Sequence, residues 1–433
     1  MSDLENGPDD AAETGDAAQP SDGDEDVAGN DVTGQAGEGD DGKPGAPKRK
    51  GKTARKHTVG KVLLASVLVL ALATGLGVTY LYRHLNGNLN VVDVTGQLEN
   101  RPEKKQVEGP AEPLNILVMG SDERFGPNSD GSARSDTTIL MHLSADRQRA
   151  YGISIPRDSL VTRPSCKQED GTRIPGGTDV MWNEAFQLGG PACTIQQFEQ
   201  TTGVFIDHYV VVNFESFENM VDAIDGVPVC IPEPVVDPEH NINIPAGTRE
   251  IQGKEALSYV RARYTLGDGS DISRIKRQQA FIAGMVHKVM SAGTLTRLDR
   301  LVRFLDAATK ALQTDMDNVV KIAKVGVGFQ NIGLDNIQFL TVPIEYDQRP
   351  EYAGRVVWTP AADKLWAKIA ADEPLSKQLT ADSINAAKLP GADESPNSKD
   401  PSSSRPSGQS SSSVSPSDSP SSAAEAEANG LCA

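Results

Sequence analysis

Hydrophobic and polar positions change their pattern several times along this chain. Val62 to Tyr82 carries no charge over about twenty residues, enough at 1.5 Å per residue to cross roughly 30 Å of hydrocarbon, and so predicts a transmembrane helix. Past residue 113 the apolar runs shorten. Leu114–Gly120, Thr137–Ser144, Ala150–Pro156, His208–Phe214 and Ile337–Ile344 are β-branched or apolar stretches, most of them closed by Gly, Pro or polar residues, as buried strands are. Apolar residues three and four apart predict helices over Thr194–Thr202, Phe214–Ala223, Gly253–Val260, Ser273–Ser291, Thr296–Gln313 and Pro360–Ala370. Strands and helices mixed in one unit predict an α/β fold, an α-β-α sandwich with helices over both faces of a central mixed sheet.

The same pattern divides the chain. Residues 1–60 form an acidic and then basic head, 61–82 the membrane helix, 83–112 a linker, 113–385 one large domain with its most informative core at 113–292, and 386–433 a Ser/Pro-rich tail. Head and tail have too few large apolar residues to offset the entropy of ordering, so both are expected to be disordered.

Charge refines this picture. The formal net charge is −18, and fourteen of the acids precede Lys43, before which there is no basic residue. From Lys43 to Lys61 the sign reverses, and this basic run abuts the apolar segment, with Tyr80 and Tyr82 at the far end like an interfacial belt. The positive-inside rule then places the N-terminus in the cytoplasm and everything after Arg83 outside the cell membrane, as a single-pass protein. A cleaved signal peptide fits poorly, because the apolar run is too long and its charged leader would span some sixty residues. With no extended basic face, duplex nucleic acid is excluded as a main partner.

An outer domain has no ATP, so its chemistry must rest on metal ions, charged side chains or an activated substrate. The six histidines show no zinc-binding spacing, there is no Gly-x-Ser-x-Gly elbow, and Gly247–Glu255 fails as a phosphate loop because Glu255 stands where a hydroxyl must reach magnesium. Acids at strand ends and clustered arginines remain. Asp122 follows the first strand and Asp136 opens the second; two such carboxylates could hold one hard cation, and on the residues alone they could equally be turn residues or helix caps. Arg157 ends the next strand beside Asp158, where a plain salt bridge is the simpler account. Arg261 and Arg263 point to one side if extended, and Asp271, Arg274, Arg277 and Gln278 fall on roughly one helix face. Together these arginines would make a diphosphate clamp, since guanidinium binds phosphate oxygens in bidentate fashion; a solvated helix face explains Arg274 and Arg277 nearly as well.

The segments NILVMGSDER, RSDTTILMHLS, SIPRDSLV, IDHYVVVNFESFENMVDAIDGVPVCIP and GKEALSYVRARYTLGDGSDISRIKRQQAFI, in that order, resemble the LytR-CpsA-Psr family of bacterial envelope enzymes over about 113–292, with an extension to about 375. The resemblance implies a membrane-anchored glycopolymer phosphotransferase. Its donor would be a glycopolymer on a polyprenyl diphosphate, its acceptor the C6 hydroxyl of muramic acid in peptidoglycan, and its cofactor Mg²⁺, with Mn²⁺ as a substitute. By the same resemblance Asp122 and Asp136 match the magnesium-linked acids, and Asp136 could also serve as base toward the acceptor. Arg157, Arg261, Arg263, Arg274 and Arg277 match the diphosphate-binding arginines, with Gln278 a polar neighbour; Asp136, Arg157, Arg261 and Arg263 carry the catalytic expectation. A carrier or regulator of the same fold, or a diphosphate hydrolase using water as acceptor, would use the same residues. Cys166 and Cys193 lie in one inserted segment outside the cell and are expected to pair. Cys230 and Cys432 are open between free thiols, a mutual bond and a bond between chains.

Overall fold

The structure is a computed structural model and describes residues 56–122, 135–238, 242–262, 266–291, 297–391, 426 and 429–432. Two units are distinguished along the chain. The first, Met1–Ser66, is described only from Lys56, where helix α1 (Lys56–Asn88) begins. The second, Val67–Ala433, holds the rest of that helix and every other element. Within α1, Val59–Asn88 is long and apolar enough to cross a membrane.

Eight strands build the central sheet: β1 (Asn90–Val91), β2 (Leu114–Ser121), β3 (Ser135–Leu143), β4 (Ala150–Ile155), β5 (His208–Asn213), β6 (Leu312–Thr314), β7 (Ile337–Thr341) and β8 (Ile384–Asn385). Their order is β1-β6-β5-β2-β3-β4-β7-β8. Pairs β1/β6, β2/β5 and β4/β7 are parallel and the rest antiparallel, so the sheet is mixed. Side chains alternate across it with period two, and each face has its own core. Leu117, Met119, Ile153 and Leu340 pack under helices α2 (Glu184–Thr202) and α8 (Pro360–Ala370) through Phe198, Leu365 and Trp366. One residue from Leu340, Phe339 turns the other way and joins Leu143, Ile337 and Ala283. That second face carries α5 (Asp271–Ser291) and α7 (Val319–Ile332); beside it α3 (Phe214–Ala223), α4 (Gly253–Arg261) and the hairpin Val227–Ile231/Gly247–Ile251 form a third cluster around Tyr259 and Phe281. A last helix, α6 (Leu298–Ala311), packs on α3. At Gly152 in β4 an added Cβ would lie 2.4 Å from the Phe339 ring, so only glycine fits there.

Two boundaries read from the sequence move. The expected linker at 83–112 is folded onto the domain: Val91 pairs in β1, Leu85 and Val94 are buried, and Arg101 grips the buried Glu199 at 2.6–3.1 Å. The end of α1 is tied as well, with His84 and Asn88 bonded to Asp306 at 2.8 and 3.0 Å. The expected tail starts too early at 386, because Ala386 is buried and donates its amide to Ile337. Near the chain's end Leu431 is also buried, and Cys432 is bonded to Cys230.

Cys166 and Cys193 are bonded to each other, as the shared segment suggested. Helix α2 accommodates this by breaking at Gly189 and Gly190 ahead of Pro191; a Cβ at Gly189 would sit 2.1 Å from the Cys193 sulfur. The buried His142 is a core bridge, its two ring nitrogens against Asn115 at 2.7 Å and Asp372 at 3.1 Å.

Candidate active site

The site grows from the ends of β2, β3 and β4. Gly120 pairs with Thr137 and Ser121 with Ser135, so Asp136 is the extra residue of a β-bulge. Such a bulge re-aims its side chain out of the ladder. Asp136 meets Arg157, two residues past β4, whose Nη1 donates to its Oδ1 at 2.5 Å. The Arg157 Nε lies 3.5 Å from Asp271 and 3.7 Å from Asp158. Partial burial works against the Arg157 charge, but the hydrogen bond to Asp136 and the charges of Asp136, Asp271 and Asp158 outweigh it and hold its pKa above the ordinary arginine value.

Three further side chains arrive from helices. Arg274, almost fully buried on the first turn of α5, pairs with Asp271 on the same turn and donates to the Asp136 carbonyl at 3.4 Å. Gln278, one turn on, accepts from the Thr137 hydroxyl at 3.3 Å and donates to the Val260 carbonyl at 3.1 Å. Arg261 is the last residue of α4, so it is not extended as its i, i+2 spacing with Arg263 suggested; its guanidinium lies over the Phe214 ring, 4.2 Å from the centroid. Arg263 lies outside the described residues.

These groups line one cavity of about 490 Å³. Asp136, Thr137, Arg157, Arg261, Arg274 and Gln278 supply its polar part, and Ile139, Phe217, Met220, Leu257, Phe281, Ile282 and Met285 its apolar part. A cavity with cations at one part and hydrocarbon at another is suited to an anionic amphiphile.

Arg277 does not reach the cavity. Three residues along a helix is a rotation of about 300°, and the resulting offset from Arg274 turns Arg277 away from the cavity. There it is wholly buried, donating to Ser273 Oγ at 2.7 Å and to the carbonyls of Leu266, Asn429 and Ala262. Burial lowers its pKa from the ordinary arginine value. Asp122 sits exposed one residue beyond β2 and is not among the lining residues, although β2 and β3 place it at the same sheet edge as Asp136. Among the described residues no group of three His, Cys, Asp or Glu side chains is arranged as a metal site.

The sequence pattern had not singled out Thr137, Phe214 or the apolar lining, and had noted Asp271 only for its helix face. Phe214 directly follows a strand and sits beside the cap Asn213, which accepts from the Ser216 amide at 2.8 Å; an aromatic at that junction was the available signal.

The sequence model of the LytR_cpsA_psr family matches residues 81–371, two thirds of the chain and the whole of this site. The chain belongs to that family. Its relatives include the "Probable cell wall biosynthesis protein LcpB" of Corynebacterium glutamicum, 32% identical over 59% of this chain and 60% of that protein. The "Cell wall biosynthesis protein LcpA" of the same organism is 29% identical over 70% of this chain and 63% of that protein. The aligned segments thus span about six tenths of the length of both. Another relative, TagU of Bacillus subtilis, is named a polyisoprenyl-teichoic acid–peptidoglycan teichoic acid transferase and is 27% identical over 63% of this chain and 83% of its own. Among solved structures the protein gbs0355 from Streptococcus agalactiae shares the fold, with a TM-score of 0.51 at 23% identity over 63% of this chain and 92% of that one.

Proposed function

We propose that this protein is a membrane-anchored phosphotransferase that moves a glycopolymer with its phosphate from a polyprenyl-diphosphate carrier to the muramic acid C6 hydroxyl of peptidoglycan. The observation that carries this reading is the cavity just described, whose arginines and apolar lining match the two halves of such a donor. Relatives named as teichoic acid–peptidoglycan transferases support the donor and acceptor classes. Helix α1 supplies the anchor, and the basic run ahead of it supports a cytoplasmic N-terminus with the domain outside.

Arg157, Arg261 and Arg274 hold the diphosphate, and Gln278 keeps the Val260 end of α4 against β3, so that Arg261 stays in the cavity lining. The acceptor oxygen attacks the phosphorus nearest the glycan. As that P–O bond forms, the bond to the bridging oxygen breaks and polyprenyl monophosphate leaves; the hydroxyl proton passes to the Asp136 carboxylate. Guanidinium groups neutralise the leaving phosphate, so most of the rate comes from positioning and electrostatics.

Asp122 and Asp136 suit Mg²⁺ by donor chemistry: two hard carboxylates at one sheet edge, leaving positions for phosphate oxygens and water. When bound there the ion would neutralise charge on the diphosphate. For the test, the full chain in detergent is incubated with a synthetic polyprenyl-diphosphate glycan, oligomeric peptidoglycan and Mg²⁺, with mass spectrometry reading phosphodiester-linked product. Product that disappears with EDTA and falls about 10²–10³-fold in Arg261→Ala is expected. Donor that stays intact, or yields only free phosphoglycan, would overturn the reading in favour of a carrier or a hydrolase.

A further inference from the structure

The Arg157–Asp271–Arg274 ion pairs that face the donor cavity have a second side. Beyond Asp271 opens a separate cavity of about 280 Å³, lined by Pro156, Asp158, Ser270, Asp271, Tyr346 and Val356 among others. At the lower bound of ligand clefts, roughly 300 Å³, it has room for a sugar ring and none for a long lipid. Unlike its neighbour, it has no cation among its lining residues. Its two carboxylates are paired with arginines outside its lining, Asp158 with Arg355 and Asp271 with Arg274 and Arg157, so little net charge faces it. A phosphate would find no cation there, whereas a sugar hydroxyl could donate to Asp158.

The rim is built to stay in place. Tyr346 ends the strand Ile344–Tyr346, paired with Val356 in a short hairpin, and the residue is 53% exposed. The hairpin turn is held by Arg349, which bonds Asp347 at 2.6–3.0 Å and Asp179 at 2.9–3.1 Å and lies over the Tyr352 ring. An exposed aromatic on a fixed hairpin, beside a carboxylate acceptor, is the chemistry that stacks on and hydrogen-bonds a neutral saccharide.

We infer that this second cavity is the subsite for the acceptor glycan, with Tyr346 as its stacking platform and Asp158 as a hydroxyl acceptor. The inference rests on the transferase reading above and adds where the acceptor lies. Arg157 then touches both substrates' sites, reaching Asp136 on the donor side and Asp271 on the acceptor side.

Calorimetric titration of the full chain in detergent with a peptidoglycan tetrasaccharide, in parallel with the transfer assay, tests it. Wild type binds, Tyr346→Ala binds about tenfold more weakly and shows a raised KM for peptidoglycan with the donor KM unchanged, and Tyr346→Trp stays within about twofold of wild type. A wild-type chain that does not bind the saccharide, an alanine variant equal to wild type, or equal losses in the alanine and tryptophan variants would overturn the inference. Saccharide binding that depends on Tyr346 without any transfer of glycan would uphold the subsite and count against the transferase reading alone.

Discussion

Opening the Cys230–Cys432 bond should cost more stability than opening Cys166–Cys193, and the reason lies in chain topology. A cross-link restricts the unfolded chain by an amount that grows with the logarithm of the loop it closes. The two loops span 202 and 27 residues and do not overlap. The chain-entropy relation assigns about 5 kcal/mol to the longer and about 3.5 kcal/mol to the shorter at 25 °C. The long loop has a further dependence. Its loss frees the segment that buries Leu431 and presents the Asn429 carbonyl to Arg277, so the measured cost should not fall below that of the short loop. The assay is urea unfolding of the full chain in detergent, comparing Cys230→Ser/Cys432→Ser with Cys166→Ser/Cys193→Ser, with the midpoint and slope fitted separately. A gap of about 1.5 kcal/mol or more in the stated order is expected. Equal losses, or the reverse order, would refute the loop argument.

Two further outcomes follow from the cavity and its surroundings. Met285→Trp places a larger ring in the apolar part of the cavity, so the KM for a long-chain donor should rise about tenfold, while a donor analogue with a very short lipid is little affected; steady-state kinetics with both donors checks this. Burial raises the phenols of Tyr259 and Tyr209 from 10.0 to about 12. Their stabilisation is complete below pH 10 and is lost as pH rises from 10 to about 12, at about 1.4 kcal/mol per pH unit for each, so Tyr259→Phe should show a shallower alkaline decline in urea midpoint than wild type.

Much of the scaffold was legible because its elements are long and strongly periodic. Phe214–Ala223 and Pro360–Ala370 are helices over the residues their apolar spacing marks, and four of the expected strands stand within two residues of their bounds. Ile337–Ile344 divides in two because Val342 and Pro343 interrupt the ladder ahead of the hairpin strand. Helix α7 escaped notice: its Val- and Gly-rich sequence has poor helix propensity, and packing compensates, as where Gly328 lies against Leu143. Strands β1, β6 and β8 have two or three residues each, too few for alternation to show. At the site, strand-end acids and arginines were visible as charges out of place. The direction of Arg277 was not, since a helix face read from spacing alone does not say which neighbour lies against it. Nor could spacing pair cysteines 202 residues apart, because that contact exists only after the chain has closed on itself.

Helix α5 also works as a ruler. Arg274 and Gln278 line the polar part of the cavity, and Phe281, Ile282 and Met285 line its apolar part, all along one side of a single helix. From Arg274 to Met285 the helix rises about 16 Å. On the proposed function, that length meters how much of the lipid is withdrawn from its surroundings before the diphosphate reaches the arginines. A polyprenyl chain is several times longer, so most of it would stay in the bilayer throughout the reaction. The enzyme would thus handle a substrate that never fully leaves the membrane, and product release would be retraction of a lipid already embedded at its far end.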